Sequence, residues 1–268
     1  MNIKTIASLP DGSSIKETDT TVVVAKGYIY AEDGTYLEYK DGSDNVFVAK
    51  SYAVKKIEED SEKKSGSKIT YEYHTDPEDL EITHVDFRKK AATVYGESSA
   101  YRYNSITDEI HDEIFAIAEV FKINTIAYGS FSNQAKRYLA KTAEENNKNS
   151  FRKAANASII YTQQNDNPTQ YSNNATNWDG KEQALYDTDD RSQGGYELHM
   201  NTWGWKISDE HYHKWKENIG ERIIKAPQTK KATTGGNKGK ICAKSTAVYG
   251  ETIFWKVKSG GYSEEELK

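Results

Sequence analysis

Cysteine is all but missing from this chain, with Cys242 the single example. One thiol excludes an intramolecular disulfide, a CxxC redox pair and a cysteine-rich zinc site, and it leaves the redox compartment open. Long apolar runs are missing too: no stretch approaches the roughly 18 residues of a membrane span. Met1–Pro10 lacks the run of about 7 to 15 apolar residues that a secretory signal carries. Positive charge is not in excess, since 36 Lys and Arg face 41 Asp and Glu for a net charge of −5 and a pI near 5.8. Nucleic acid is therefore not the expected partner, because phosphate binding asks for a basic surface. Lys225–Lys244 is a local basic patch only. There is also no phosphate-cradling glycine motif and no Gly-x-Ser-x-Gly elbow.

What is present is aromatic. Only 36% of the residues are hydrophobic and 29% are charged, yet 19 Tyr, 7 Phe and 5 Trp supply bulk for a core. A chain of 268 residues accommodates one large domain, or a medium one with an appendage. Thr21–Ala25, Tyr28–Tyr30 and Asn45–Ala49 have strand composition. The Asp33-Gly34 and Asp41-Gly42 dipeptides suit hairpin turns, so an antiparallel meander is expected over residues 1–57. Glu58–Lys68 is charged and has little apolar bulk, which makes it a candidate boundary, and a short strand is expected at Ile69–His74.

Helical periodicity dominates residues 84–225. Phe87, Ala91, Val94 and Tyr95 share a face at i, i+4, i+7, i+8, and Glu97 lies on its flank, roughly 80° from Phe87 at about 100° per residue. Ile110, Ile114, Ile117, Ala118 and Phe121 form the stripe of the next helix, with Asp112, Glu113 and Glu119 expected outside and Thr107 or Asp108 as cap. Further helices are expected at Asn133–Asn146, Phe151–Gln163 and Ser208–Ile224. Ala226–Lys240 reads as an exposed loop, and Thr246–Tyr249 with Thr252–Val257 as a hairpin. Val-Tyr-Gly-Glu occurs twice, at 94–97 and 248–251, in flanks so different that no internal repeat is implied.

Several of these pieces, taken in order, resemble the cell-wall hydrolase domain of spore-cortex-lytic enzymes. Ala92–Ser99 is similar to that family's Val-Tyr-Gly-Glu-Ala helix, and Ile114–Phe121 to the apolar helix that follows. Arg152–Ile160, Asp166–Thr169 and Asn174–Trp178 resemble its helix, Asn-Pro-Thr turn and aromatic segment, and Tyr249–Trp255 its closing hairpin. The resemblance spans about 85–258. Two departures stand out: Tyr101 occupies the place of the family's second acid, and Gln170–Asn174 replaces a small-residue step. Gly27–Gly34 and Trp178–Leu185 also resemble a divergent Bacteroidetes-type group associated with interbacterial secretion.

The resemblance implies an α+β chain whose 82–268 region is a mainly helical, lysozyme-like catalytic domain with a C-terminal β-hairpin. Residues 1–57 would be the β appendage and 58–81 a linker. It implies cleavage of peptidoglycan glycan strands, with Glu97 as the catalytic acid. The absent acid at Tyr101 favours a lytic transglycosylase, which needs one carboxyl because the muramic 6-hydroxyl is the internal nucleophile. A hydrolase normally uses a second carboxylate about 5–9 Å away.

Tyr95, Ser98, Tyr171, Trp178 and Asp179 are the candidate substrate-binding residues. Four of them have a plainer reading, Tyr95 as core, Ser98 as a small helix-surface residue, Trp178 as a core plug and Asp179 as the start of an Asx turn, and Tyr171 makes a case similar to that of Trp178 but weaker. Glu251 is a remote second-acid candidate whose stronger reading is a hairpin-turn residue. His211 and His213 point about 200° apart on a helix and do not share a metal, so no metal or cofactor is expected. Without a signal peptide, export would run through a dedicated secretion machine to the periplasm or cell wall, with an immunity protein protecting the producer. The alternatives are a non-catalytic component of a secretion apparatus that keeps the fold, and a toxin with another target built around residues 160–215.

Overall fold

The computed structural model describes residues 26–57, 68–124, 132–181, 198–220 and 226–268. The strand expected at Thr21–Ala25 lies outside the described residues. The described chain divides at His84–Val85 into two compact units, with Asp33–Thr35 grouped with the second.

The first unit is built of short strands rich in tyrosine and β-branched residues. β1 (Gly27–Ala31), β2 (Tyr36–Lys40), β3 (Asn45–Ala49) and β6 (Glu78–Thr83) form a sheet in the order β2-β1-β3-β6. β4 (Tyr52–Ile57) and β5 (Lys68–Tyr73) form an antiparallel ribbon. The sheet is not the expected meander. β2 takes one edge of β1, so the chain crosses to the other edge, where β3 pairs parallel to β1. Ile29, Ala31, Leu37 and Ala49 form the core, and the aromatic rings of Phe47, Tyr52, Tyr71 and Tyr73 pack on it. Residues 68–81 are therefore not linker: β5 closes the ribbon and β6 pairs with β3.

The second unit combines helices with a sheet, and the fold class is α+β. Its helices are α1 (His84–Glu97), α2 (Asp108–Asn124), α3 (Asn133–Leu139), α4 (Ala143–Asn146), α5 (Ser150–Gln164), α6 (Leu198–Thr202) and α7 (Asp209–Ile219). The single helix expected over Asn133–Asn146 is broken in two. Thr142 makes a capping box with Glu145, and a residue that caps in extended conformation stops one helix as it starts the next. The last helix is shorter than expected: Ser208 caps it as anticipated, but Gly220 ends it with φ +90°.

β7 (Asn177–Asp179), β8 (Trp205–Lys206), β9 (Thr229–Lys230), β10 (Ala243–Tyr249) and β11 (Thr252–Val257) form a sheet in the order β7-β11-β10-β8-β9. The expected hairpin is thus the centre of a five-stranded sheet. Ala226–Lys240 is not wholly exposed, since Ala226 and Ala232 are buried and Thr229–Lys230 pairs with β8. Behind the sheet, Trp205 stacks on Trp255 at 5.1 Å, and Trp215 from α7 meets Trp205 edge-on at 6.4 Å.

α2 is buried nearly all round, and Glu113 and Glu119 are fully covered rather than outside. The helix has polar partners on its flanks. Glu119 accepts from Tyr161 Oη and from the backbone N–H groups of Tyr171 and Ser172. Paired in this way, a carboxylate is tolerated in a core. Among the described residues no helix is long and apolar enough to cross a membrane.

Candidate functional site

Phe87, Ala91 and Val94 bury one face of α1 completely, which carries Glu97 to the exposed flank of the last turn. The helix stops there because Ser98 turns extended (φ −75°, ψ 158°) and opens a 3-10 turn at Ser99–Arg102. Ser98 Oγ donates to the Tyr95 carbonyl at 3.0 Å and ties the turn back to the helix.

Glu97, Ser98 and Ser99 form one wall of a cleft of about 400 Å³. Tyr101 and Arg102 continue that wall, and Trp178, Asp179 and Lys181 supply the part that follows from β7. The hairpin turn contributes Glu251 and Thr252. Trp178 and Asp179 sit in a short strand, paired with Phe254 and Ile253 of β11. That pairing seats β7 beside the hairpin and places both residues on the cleft.

The structure therefore brings together Glu97, Ser98, Trp178 and Asp179. It leaves out the other two candidates. Tyr95 is 5% exposed, its ring against Tyr138 and under the Arg152 guanidinium, so it belongs to the core stripe that carries it. Tyr171 packs at 4.9 Å on Phe115 and 5.6 Å on Tyr161, in an aromatic cluster outside the cleft lining.

Glu251 is the residue most underrated by sequence. Its carboxylate accepts from Lys181 Nζ at 2.8 Å and pairs with Arg102, so three distant pieces of chain are cross-linked at the cleft. The turn beneath is firmly held. Trp215 Nε1 donates to the Glu251 carbonyl at 3.0 Å, and Asn218 Nδ2 to the Gly250 carbonyl at 2.7 Å. Gly250 has φ +52°, as a tight two-residue hairpin turn requires at its first central position. The two Val-Tyr-Gly-Glu copies thus end on the same cleft, one at a helix terminus and one in a hairpin turn.

The glycine before Glu97 has its own reason. A Cβ at Gly96 would lie 2.4 Å from Ser132 Oγ and 2.9 Å from Ala135 Cβ, at the start of α3. Gly96→Ala is expected to lower stability by about 1–3 kcal/mol in chemical denaturation, because α3 must be pushed off α1. An unchanged midpoint would refute that packing role.

Arg102 lies in no motif, and Lys181, although inside the Trp178–Leu185 segment, has no role assigned to it by the sequence. Chemically, the cleft offers three carboxyl groups (Glu97, Asp179 and Glu251), two cations and the rings of Tyr101 and Trp178. Among the described residues no group of three or more His, Cys, Asp or Glu is arranged to hold a metal ion. No family model, curated protein or solved structure matches the chain.

Proposed function

We propose that this protein cleaves the glycan strands of peptidoglycan, with Glu97 as the general acid that protonates the glycosidic oxygen. The observation that carries the reading is the cleft: α1 and β7, two of the segments that resemble the cell-wall hydrolases, deliver Glu97, Ser98, Trp178 and Asp179 to one place. A carboxyl on the wall of a polar cleft reaches a bound saccharide, and an indole offers a flat apolar face for a sugar ring. A helix ending in the acid beside a β-hairpin fits a lysozyme-like arrangement.

In the single-acid mechanism, Glu97 gives its proton to the glycosidic oxygen as the bond from that oxygen to the anomeric carbon breaks. The carboxylate so formed takes the proton of the muramic 6-hydroxyl as the hydroxyl oxygen bonds to the anomeric carbon, and a 1,6-anhydro end is formed. Asp179 and Glu251 make a second course physically available, because a second carboxylate in the cleft permits hydrolysis. Glu251 is engaged by Arg102 and Lys181, which favours a holding role for it. The absence of an acid at Tyr101 keeps the transglycosylase course in front. In this reading the protein reaches the periplasm or cell wall through a dedicated secretion system, and an immunity protein inhibits it in the producer.

Purified sacculi incubated with the protein should release soluble fragments. Mass spectrometry of those fragments should show anhydro-muramic ends, whereas reducing ends would establish the hydrolytic course. Sacculi left intact across the pH range would remove the enzymatic reading and favour a binding component of a secretion apparatus.

A further inference from the structure

Glu113, on α2, lies beneath the cleft and is fully buried. It touches both sides of the cleft at once. On one side, the Ser99 backbone N–H donates to both carboxylate oxygens at 3.2 Å, and Ser99 Oγ lies 2.6 Å from Oε2. On the other, Thr252 Oγ1 donates to Oε1 at 2.5 Å. Ser99 is two residues from Glu97, and Thr252 is next to Glu251. Gly250 completes the contact: a Cβ there would stand 2.8 Å from Ser99 Oγ and 3.1 Å from Glu113 Oε2. One turn earlier, Glu109 accepts from the Gly250 N–H at 3.3 Å. The acidic flank of α2 therefore grips both the turn after α1 and the hairpin turn.

A core side chain with no task beyond filling space would be apolar, since burying a carboxyl costs free energy that leucine avoids. Burial pushes the Glu113 carboxyl up to about 7, against the opposing hydrogen bonds from Ser99 and Thr252. Near neutral pH it therefore exchanges a proton, while its partners are hydroxyls and an amide that suit either form. Ionisable groups on the elements around it are Glu109 on its own helix, Arg102 and Tyr103 at the 3-10 turn, Asp179 on β7, Tyr249 on β10, Glu251 at the hairpin turn and Tyr161 on α5. Among these, Glu109 is the charge that opposes ionisation of Glu113, and Glu113 in turn helps to raise Tyr103.

We infer that Glu113 is a positioning residue that staples the Glu97 wall of the cleft to the Glu251 wall through Ser99 and Thr252. The structural half stands by itself, whereas its consequence for catalysis rests on the peptidoglycan reading. Glu113→Gln keeps the shape and the hydrogen bonds of the protonated form. Glu113→Leu keeps approximate volume and deletes every bond.

The test has two arms. Without any substrate, the Ser99 amide resonance of wild type should titrate with a midpoint near 7. That titration should vanish in Glu113→Gln. In Glu113→Leu, exchange of the Ser99 amide should speed by roughly tenfold or more, because a hydrogen bond to a charged group is lost. With sacculi, Glu113→Leu should lower the maximal rate about 100-fold, as a displaced catalytic group does. Glu113→Gln should recover most of that rate and flatten the pH profile around neutrality. Thr252→Val, close in shape, removes one bond at the hairpin side and reads the same coupling if Glu113→Leu does not fold.

A Ser99 amide that does not titrate, or a folded Glu113→Leu that cuts at the wild-type rate, would overturn the proposal. So would a Glu113→Gln as slow as Glu113→Leu. If Ser99 titrates as expected but wild type leaves sacculi intact, the staple stands and the peptidoglycan reading falls.

Discussion

Glu97→Gln is expected to slow release of glycan fragments from sacculi by roughly 10²–10⁴-fold, the usual worth of a general acid. Stability should stay within about 0.5 kcal/mol of wild type, as for other substitutions of exposed residues. The two expectations belong together because of where Glu97 sits. It is the last residue of α1 and exposed, so the amide replaces the carboxyl without disturbing Phe87, Ala91 or Val94 behind it. The glutamine retains hydrogen-bonding capacity but has no proton to transfer to a leaving oxygen. A purely structural glutamate would show the reverse pattern, with some stability lost and the rate kept. The exposure also says where the dry surroundings of the acid must come from. The helix does not supply them, so on the proposed reading a saccharide bound in the cleft between Trp178, Tyr101 and Glu251 would have to exclude the water. Truncated substrates should accordingly lose turnover as well as binding. Equal rates for Glu97→Gln and wild type on the same sacculi would end the assignment.

The local elements of this chain were largely legible, because they depend on residues close in sequence. Phe87, Ala91 and Val94 recur at helical spacing and are buried as that spacing demands, and Ser208 caps α7 where a cap was expected. The hairpin of β10 and β11 followed from strand composition on either side of Gly250-Glu251. Pairings between distant segments were not legible. Nothing in Gly27–Ala31 announces that β3 will join it in parallel, and nothing in Asn177–Asp179 announces an edge strand beside β11. Those pairings are set by which surface is left uncovered after the local elements form.

The same division runs through the candidate site. Glu97, Ser98, Trp178 and Asp179 could be named from motifs, while Glu251 acquires its meaning only when Arg102 and Lys181 arrive from elsewhere. Glu113 illustrates the limit most sharply. A periodic pattern assigns an acidic residue to the solvent side of a helix, and it has no means of knowing that a serine and a threonine 14 and 139 residues away will cover it. Tyr95 failed in the opposite direction: its motif suggested a site, whereas its phase on the apolar stripe already placed it inside.

The largest loss of stability should come from Trp215→Ala, about 3–5 kcal/mol, in the range of large aromatic truncations in a core. Trp215 is fully buried, its ring edge-on to Trp205, which in turn stacks on Trp255 of β11. Deleting the indole leaves a void that neighbouring tryptophans cannot fill by small shifts, since each is already fixed against the sheet. It also removes the Nε1–H donor to the Glu251 carbonyl. Trp215→Phe separates the two contributions, because it keeps most of the ring volume and gives up the donor, and about 1–2 kcal/mol should be lost. Urea denaturation followed through the midpoint would measure both, provided that the slope is unchanged. The substitutions should differ in their effect on the cleft as well. In Trp215→Phe the hairpin turn loses one of its anchors while Asn218 still holds the Gly250 carbonyl, so amide exchange should rise locally at Glu251 and Thr252. If the turn carries Glu251 to the cleft as the structure shows, Trp215→Phe should slow cleavage more than its modest loss of stability explains. A slowing no larger than that of an equally destabilising core substitution on α5, such as Ile159→Val, would show that the anchor matters to folding alone.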